Sequence, residues 1–127
     1  MDLTSRLRAF YAPGVAYEIA TPDQPIPNMV LEVASRYPTR AAIDFFARQL
    51  SYSELAQDMR RCAGALHQAG VRPGDRVALV MPNCPQHAVA VLGTMLLGAI
   101  VLEHHPLAPP GEPQTESKRH GARALAL

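Results

Sequence analysis

The sequence predicts an α/β fold: a partial layered α/β/α subdomain with a mostly parallel sheet, preceded by an extended N-terminal arm and a small hairpin. Three observations carry this. From Ser51 onward, helical patterns alternate with short apolar runs, the order of βαβ units, whose connections are right-handed. Val77 to Met81 is apolar without a break, as in a strand covered on both faces. Glycine and proline sit at the junctions, at Gly70, Pro73-Gly74, Pro82, Pro85 and Gly98.

Residues 1–27 read as the arm and 28–127 as the subdomain. Pro13, Gly14, Pro22, Pro25 and Pro27 leave the arm little room for a helix, and Phe10, Tyr11, Val15, Tyr17 and Ile19 suit it to lying on a surface. Asn28 is a cap for a helix whose apolar stripe is Met29, Val30, Val33 and Ala34. Pro38 disfavours helical backbone at Tyr37 and ends it.

Ala41 to Phe46 then reads as a strand, and a tight turn at Ala47-Arg48 returns through Leu50-Ser51-Tyr52 as a hairpin. Ser51 and Glu54 have capping-box spacing ahead of a long helix. Its stripe is Leu55, Met59, Cys62 and Leu66, with Glu54, Asp58, Arg61 and Gln68 toward solvent. Gly70 ends it, and Arg72-Pro73-Gly74-Asp75 fits a type II turn that holds Asp75. The buried strand Val77 to Met81 leads into a corner, Pro82-Asn83-Cys84-Pro85, with Asn83 or Cys84 as cap. The helix from Pro85 to Leu97 is apolar nearly all round, which predicts a core helix, and Ala99 to Leu102 predicts a second buried strand. Beyond Pro106 the pattern degrades: a loop through Pro109, Pro110, Gly111 and Pro113, two helical turns over Gln114 to His120, and a strand from Ala122 to Leu127. A chain that stops inside a buried strand leads to the expectation that more of the fold follows.

Composition sets the class. Across 127 residues, 48% are hydrophobic and 18% charged, the balance of a globular chain and not of a disordered one. A net charge of +1, with no basic stripe interleaved with aromatics, argues against a nucleic-acid partner. Cys62 and Cys84 lack CxxC spacing and predict free buried thiols in a reducing cytoplasm. The start Met1-Asp2-Leu3-Thr4 carries an early acid with no apolar core after it, unlike a signal peptide. The apolar stretch from Ala88 to Leu102, broken by Gly93, Thr94 and Gly98, is shorter than the about 20 residues of a membrane span.

Chemistry is sparse. A phosphate cradle needs closely spaced glycines before a helix, yet the eight glycines are nowhere closer than Gly70 and Gly74. Glu103-His104-His105 resembles a metal-ligand cluster, but adjacent residues on extended backbone diverge, and zinc takes three or four protein ligands. A polar strand exit is the better reading. His67 and His87 sit on helices without a partner nearby in sequence, Cys84 reads as a cap and not as a nucleophile, and Asp44 lies on the outward face of its strand. No catalytic, cofactor-binding or metal-ligating residue is assigned.

Four stretches in order resemble a known family: Leu50-Ser51-Tyr52-Ser53-Glu54-Leu55, then Gly70-Val71-Arg72-Pro73-Gly74-Asp75-Arg76-Val77-Ala78-Leu79, then Met81-Pro82-Asn83-Cys84-Pro85-Gln86, then Leu97-Gly98-Ala99-Ile100-Val101-Leu102-Glu103-His104-His105-Pro106-Leu107. Together with Tyr11-Ala12-Pro13-Gly14-Val15 and His120-Gly121-Ala122-Arg123, they are similar to the N-terminal region of AMP-forming acyl-CoA synthetases, in the long-chain fatty-acid–CoA ligase branch. The resemblance implies activation of a fatty acid by ATP to an acyl-adenylate, then transfer to coenzyme A, with Mg as the metal. It also implies that the phosphate loop, acyl pocket, nucleotide-binding residues and mobile lysine lie further along such proteins, with no counterpart here. The isolated chain is therefore expected to be inactive. Two departures stand out: Ala47 replaces a frequent glycine of the hairpin, and Pro109, Pro110, Pro113 and Ser117 replace an amphipathic helix with apolar anchors. The alternative expectation is a non-catalytic interaction module that pairs with a full-length homologue, or with itself, through the arm and an open sheet edge.

Overall fold

The computed structural model describes residues 3–109 and 111–126. The arm is not wholly extended. Leu3–Arg8 forms a short helix, α1, because the first proline comes only at Pro13. The arm then folds back on itself: Arg8 lies 4.7 Å from the centre of the Tyr17 ring and pairs with Glu18 at 3.1 Å, while the Tyr11 and Tyr17 rings meet edge-on at 5.0 Å.

Helix α2 spans Ile26–Arg36 and starts before the expected Asn28. Pro25 is its cap, Pro27 lies in its first turn, and the N–H groups of Asn28 and Met29 both donate to the Pro25 carbonyl, at 3.0 and 3.3 Å. Proline is tolerated there because first-turn N–H groups have no partner within the helix. Strands β1 (Ala41–Phe45) and β2 (Arg48–Ser51) form an antiparallel hairpin. Its turn places Phe46 and Ala47 at φ 47° and 63°. The left-handed conformation costs a β-carbon-bearing residue about 1 kcal/mol, so Ala47 is strained where glycine would not be.

Helix α3 (Tyr52–Gln68) opens on the expected capping box. The Glu54 N–H donates to Ser51 Oγ at 3.3 Å, and the Ser51 N–H donates to Glu54 Oε2 at 2.8 Å. The Ser51 hydroxyl also donates to Oε2, at 2.6 Å. These bonds, first the hydroxyl's and then the backbone's, hold the Glu54 carboxyl below its ordinary 4.5. A depressed folded-state value means a contribution fully present above about pH 4.5 and lost as the pH falls through the lower folded value. Acid titration of the thermal midpoint is expected to fall across that window, and Glu54→Gln is expected to flatten this component. A variant with an unchanged acid limb would contradict it.

The chain leaves α3 through Gly70 (φ 95°) and turns at Gly74 (φ 85°), where the Asp75 N–H donates to the Arg72 carbonyl at 3.0 Å. Asp75 does belong to this turn, accepting the Arg72 N–H at 2.8 Å. Strand β3 (Arg76–Leu79) follows, then α4 (Pro85–Leu96), capped at Cys84 with Pro85 in its first turn, then β4 (Ile100–Glu103). Helix α5 (Glu112–Arg119) begins two residues earlier than the expected Gln114, since Pro113 again occupies the tolerant first turn. Strand β5 (Ala122–Ala126) ends the described chain, and Leu127 lies outside it.

The second sheet has the order β4-β3-β5, all parallel, so the chain crosses from β3 to β4 through α4 and back past β3 through α5. Right-handed connections running in opposite directions place these helices on opposite faces. The core forms around β3, where Val71, Val77, Leu79 and Ala99 are buried under Leu66, Ala90, Val91, Leu97 and Val101. Two expectations need correcting. Strand β4 is an edge among the described residues, with Ile100 47% exposed, because there it has a strand partner on one side only. Helix α4 fully buries only Gly93 and Thr94, its remaining apolar faces being half-covered.

Candidate functional site

In parallel α/β sheets, ligands gather at the carboxyl ends of the strands. Here those ends are Leu79 of β3, Glu103 of β4 and the loops that leave them. The Glu103-His104-His105 triplet lies at this end, and its members diverge as alternation requires. Glu103 Oε1 lies 3.1 Å from His87 Nε2 on α4. His104 turns to α5, with Nδ1 3.2 Å from Glu116 Oε2 and Nε2 3.3 Å from Ser117 Oγ. The His105 ring accepts the Leu107 N–H at 3.1 Å and closes its own turn.

His87 therefore has a partner that its sequence neighbourhood did not reveal, and His104 has two. No local signal marks either, since residues 12 to 16 positions apart meet only through the parallel crossovers.

Ser117, His104 and Glu116 have the connectivity of a nucleophile, a base and an orienting carboxylate. The His104 side chain is 6% exposed and Ser117 7%. Two surface grooves among the described residues are lined by other residues. A nucleophile must reach a substrate, so burial favours packing over acyl transfer.

The larger groove, about 760 Å³, lies between the hairpin, α3 and α4, with Phe45, Phe46, Leu50, Val89 and Ala90 in its walls. Arg61 at its rim is paired with Asp58 at 3.2 Å. Cys62 also lines it, and burial pushes its thiol up, away from the reactive thiolate. Cys84 caps α4 without a side-chain cap bond, and both cysteines are free thiols. Asp44 stays on the exposed face, accepting from Gln49 at 2.9 Å.

Among the described residues no three His, Cys, Asp or Glu side chains converge on a point. The glycines with positive φ stand in separate turns, at Gly14, Gly70, Gly74, Gly98, Gly111 and Gly121. Among the described residues no helix is long and apolar enough to cross a membrane.

Comparison with known proteins places this frame. The family model of AMP-binding enzymes matches residues 30–126. A long-chain-fatty-acid–CoA ligase of Bacillus subtilis is 31% identical over 99 residues, 78% of this chain and 18% of the relative. One from Escherichia coli is 33% identical over 120 residues, 92% of this chain and 21% of the relative. The solved N-terminal subdomain of Klebsiella oxytoca NpsA, in complex with 3-hydroxyanthranilyl-AMSN, superposes with a TM-score of 0.74 at 27% identity, covering 80% of this chain and 26% of that one. The chain thus spans about a fifth of the length of the curated relatives it matches. With the family match running from α2 into β5, the chain belongs to the AMP-binding enzymes, as a stretch of their N-terminal region.

Proposed function

We propose that this chain is the N-terminal scaffold of a cytoplasmic fatty-acid–CoA ligase and forms no acyl-adenylate on its own. The single observation that carries the reading is the likeness to long-chain-fatty-acid–CoA ligases over most of the chain, at 92% coverage for the Escherichia coli relative. The reaction class implied joins a carboxylic acid to ATP with release of pyrophosphate and passes the acyl group to coenzyme A. In this reading ATP, magnesium and coenzyme A belong to residues beyond this chain, which supplies sheet and helix packing alone. Fatty-acid-dependent exchange of labelled pyrophosphate into ATP tests it. None is expected from the purified chain, and exchange would overturn the reading.

A second reading is favoured by exposed apolar side chains, Phe10 at 86% and Ile19 at 88% in the arm and Ile100 on the β4 edge. Such surfaces suit pairing with a full-length homologue or with a second copy. Co-elution with a full-length ligase on size exclusion is expected under this reading, and separate monomeric elution contradicts it.

A further inference from the structure

β4 leaves the sheet through two consecutive side chains, each met by a different helix: Glu103 by His87 of α4, and His104 by Glu116 and Ser117 of α5. The two contacts differ in what surrounds them. Helix α4 also packs against α3 and contributes Ala90 and Val91 to the apolar core. Helix α5, Glu112–Arg119, carries no large apolar side chain. Among its residues with described side chains, only Pro113 and Ser117 are buried.

An eight-residue polar helix does not persist alone in water, so contacts outside it must hold it. The buried imidazole supplies two of them, beside the packing of α5 on β5. Both ring nitrogens are engaged, and the His104 backbone N–H donates to the Leu79 carbonyl at 2.9 Å. A buried polar ring is tolerated when each nitrogen has a partner and costly when one is lost. Helix α5 leads through His120-Gly121 into β5, whose one strand partner among the described residues is β3.

We propose that His104 is a latch, a conformational device through which α5 and β5 dock on the sheet and release from it as one unit. Release leaves β3, β4, α3 and α4 folded around their apolar core. It opens the far edge of β3 beside the strand ends at which such sheets bind ligands. The helix it holds, with Pro113 and Ser117, occupies the stretch where the resemblance leads one to expect apolar anchors. Polar contact in place of apolar packing makes one ring the side-chain link of α5 to the strand end, beside the β3–β5 ladder.

Hydrogen exchange read by mass spectrometry on the whole chain tests this. In His104→Ala, amides of residues 112–126 are expected to exchange at least about tenfold faster, with those of α3 and α4 unchanged. The double variant H104V/S117L, which substitutes an apolar pair for the polar one, is expected to restore protection. Unchanged exchange over 112–126 in His104→Ala would overturn the latch. So would loosening of α3 and α4 in step with 112–126, or a double variant left as open as the single one.

Discussion

Gly93→Ala is expected to cost about 2–3 kcal/mol of folding stability, although alanine is ordinarily the better helix former by about 1 kcal/mol. The reason is the crossing of α3 and α4. A β-carbon on residue 93 would fall 2.6 Å from Cys62 Cβ, 2.8 Å from Cys62 Sγ and 3.0 Å from the Met59 carbonyl oxygen. Real β-carbons do not approach so closely, and the backbone carbonyl and Cys62 Cβ have no rotamer that escapes. Trimming Cys62 to alanine leaves the shortest contact in place. The helices must separate, and half-buried neighbours across the crossing lose contact with them. Gly64, inside α3, has nothing within 4 Å of its virtual β-carbon. Gly64→Ala is therefore the matched control, expected to stabilise by up to about 1 kcal/mol. Urea denaturation of the two variants reads the difference in sign. A stabilised Gly93→Ala would mean that α3 and α4 do not pack as described.

Leu79→Ala is expected to cost about 2–5 kcal/mol. Leu79 is among the largest fully buried side chains, at the carboxyl end of the central strand, in one cluster with Val71, Val77 and Ala99. Strand β3 is flanked by β4 and β5, so little backbone freedom exists to collapse the cavity. Domains of this size have about 5–15 kcal/mol in total, so the variant should lose a large share of its stability. Equilibrium denaturation should show a lowered midpoint with an unchanged slope. A shift under about 0.5 kcal/mol, the range of surface substitutions, would contradict the central placement of β3.

The parts of the fold written in local chemistry were legible. The Ser51–Glu54 capping box, the Gly70 exit, the Pro73-Gly74 turn and the Pro85 start of α4 each depend on a few consecutive residues, and each stands where those residues put it. The left-handed turn at Ala47 was marked only by the resemblance, in which glycine is frequent at that position. Boundaries governed by proline were misjudged twice, at Ile26 and at Glu112. Proline breaks helix interiors yet is tolerated in first turns, and composition alone does not say which applies. The half-cover of α4 and the open side of β4 were misread for another reason. An apolar pattern records what a face needs to meet, not whether this stretch of chain supplies it. The histidine contacts were invisible because they are made by topology, with Glu103 reaching His87 and His104 reaching Glu116 only once the parallel crossovers are in place.

This stretch belongs to the N-terminal region of the AMP-binding enzymes, and the proposal is that it performs no adenylation alone. Pyrophosphate exchange bears on it most directly, run on the folded chain with saturated fatty acids of several lengths, ATP and magnesium, beside a full-length ligase as positive control. The account predicts incorporation of label into ATP at the level of the protein-free blank for every acid, while the control exchanges. Incorporation above that blank, rising with fatty-acid concentration, would contradict it.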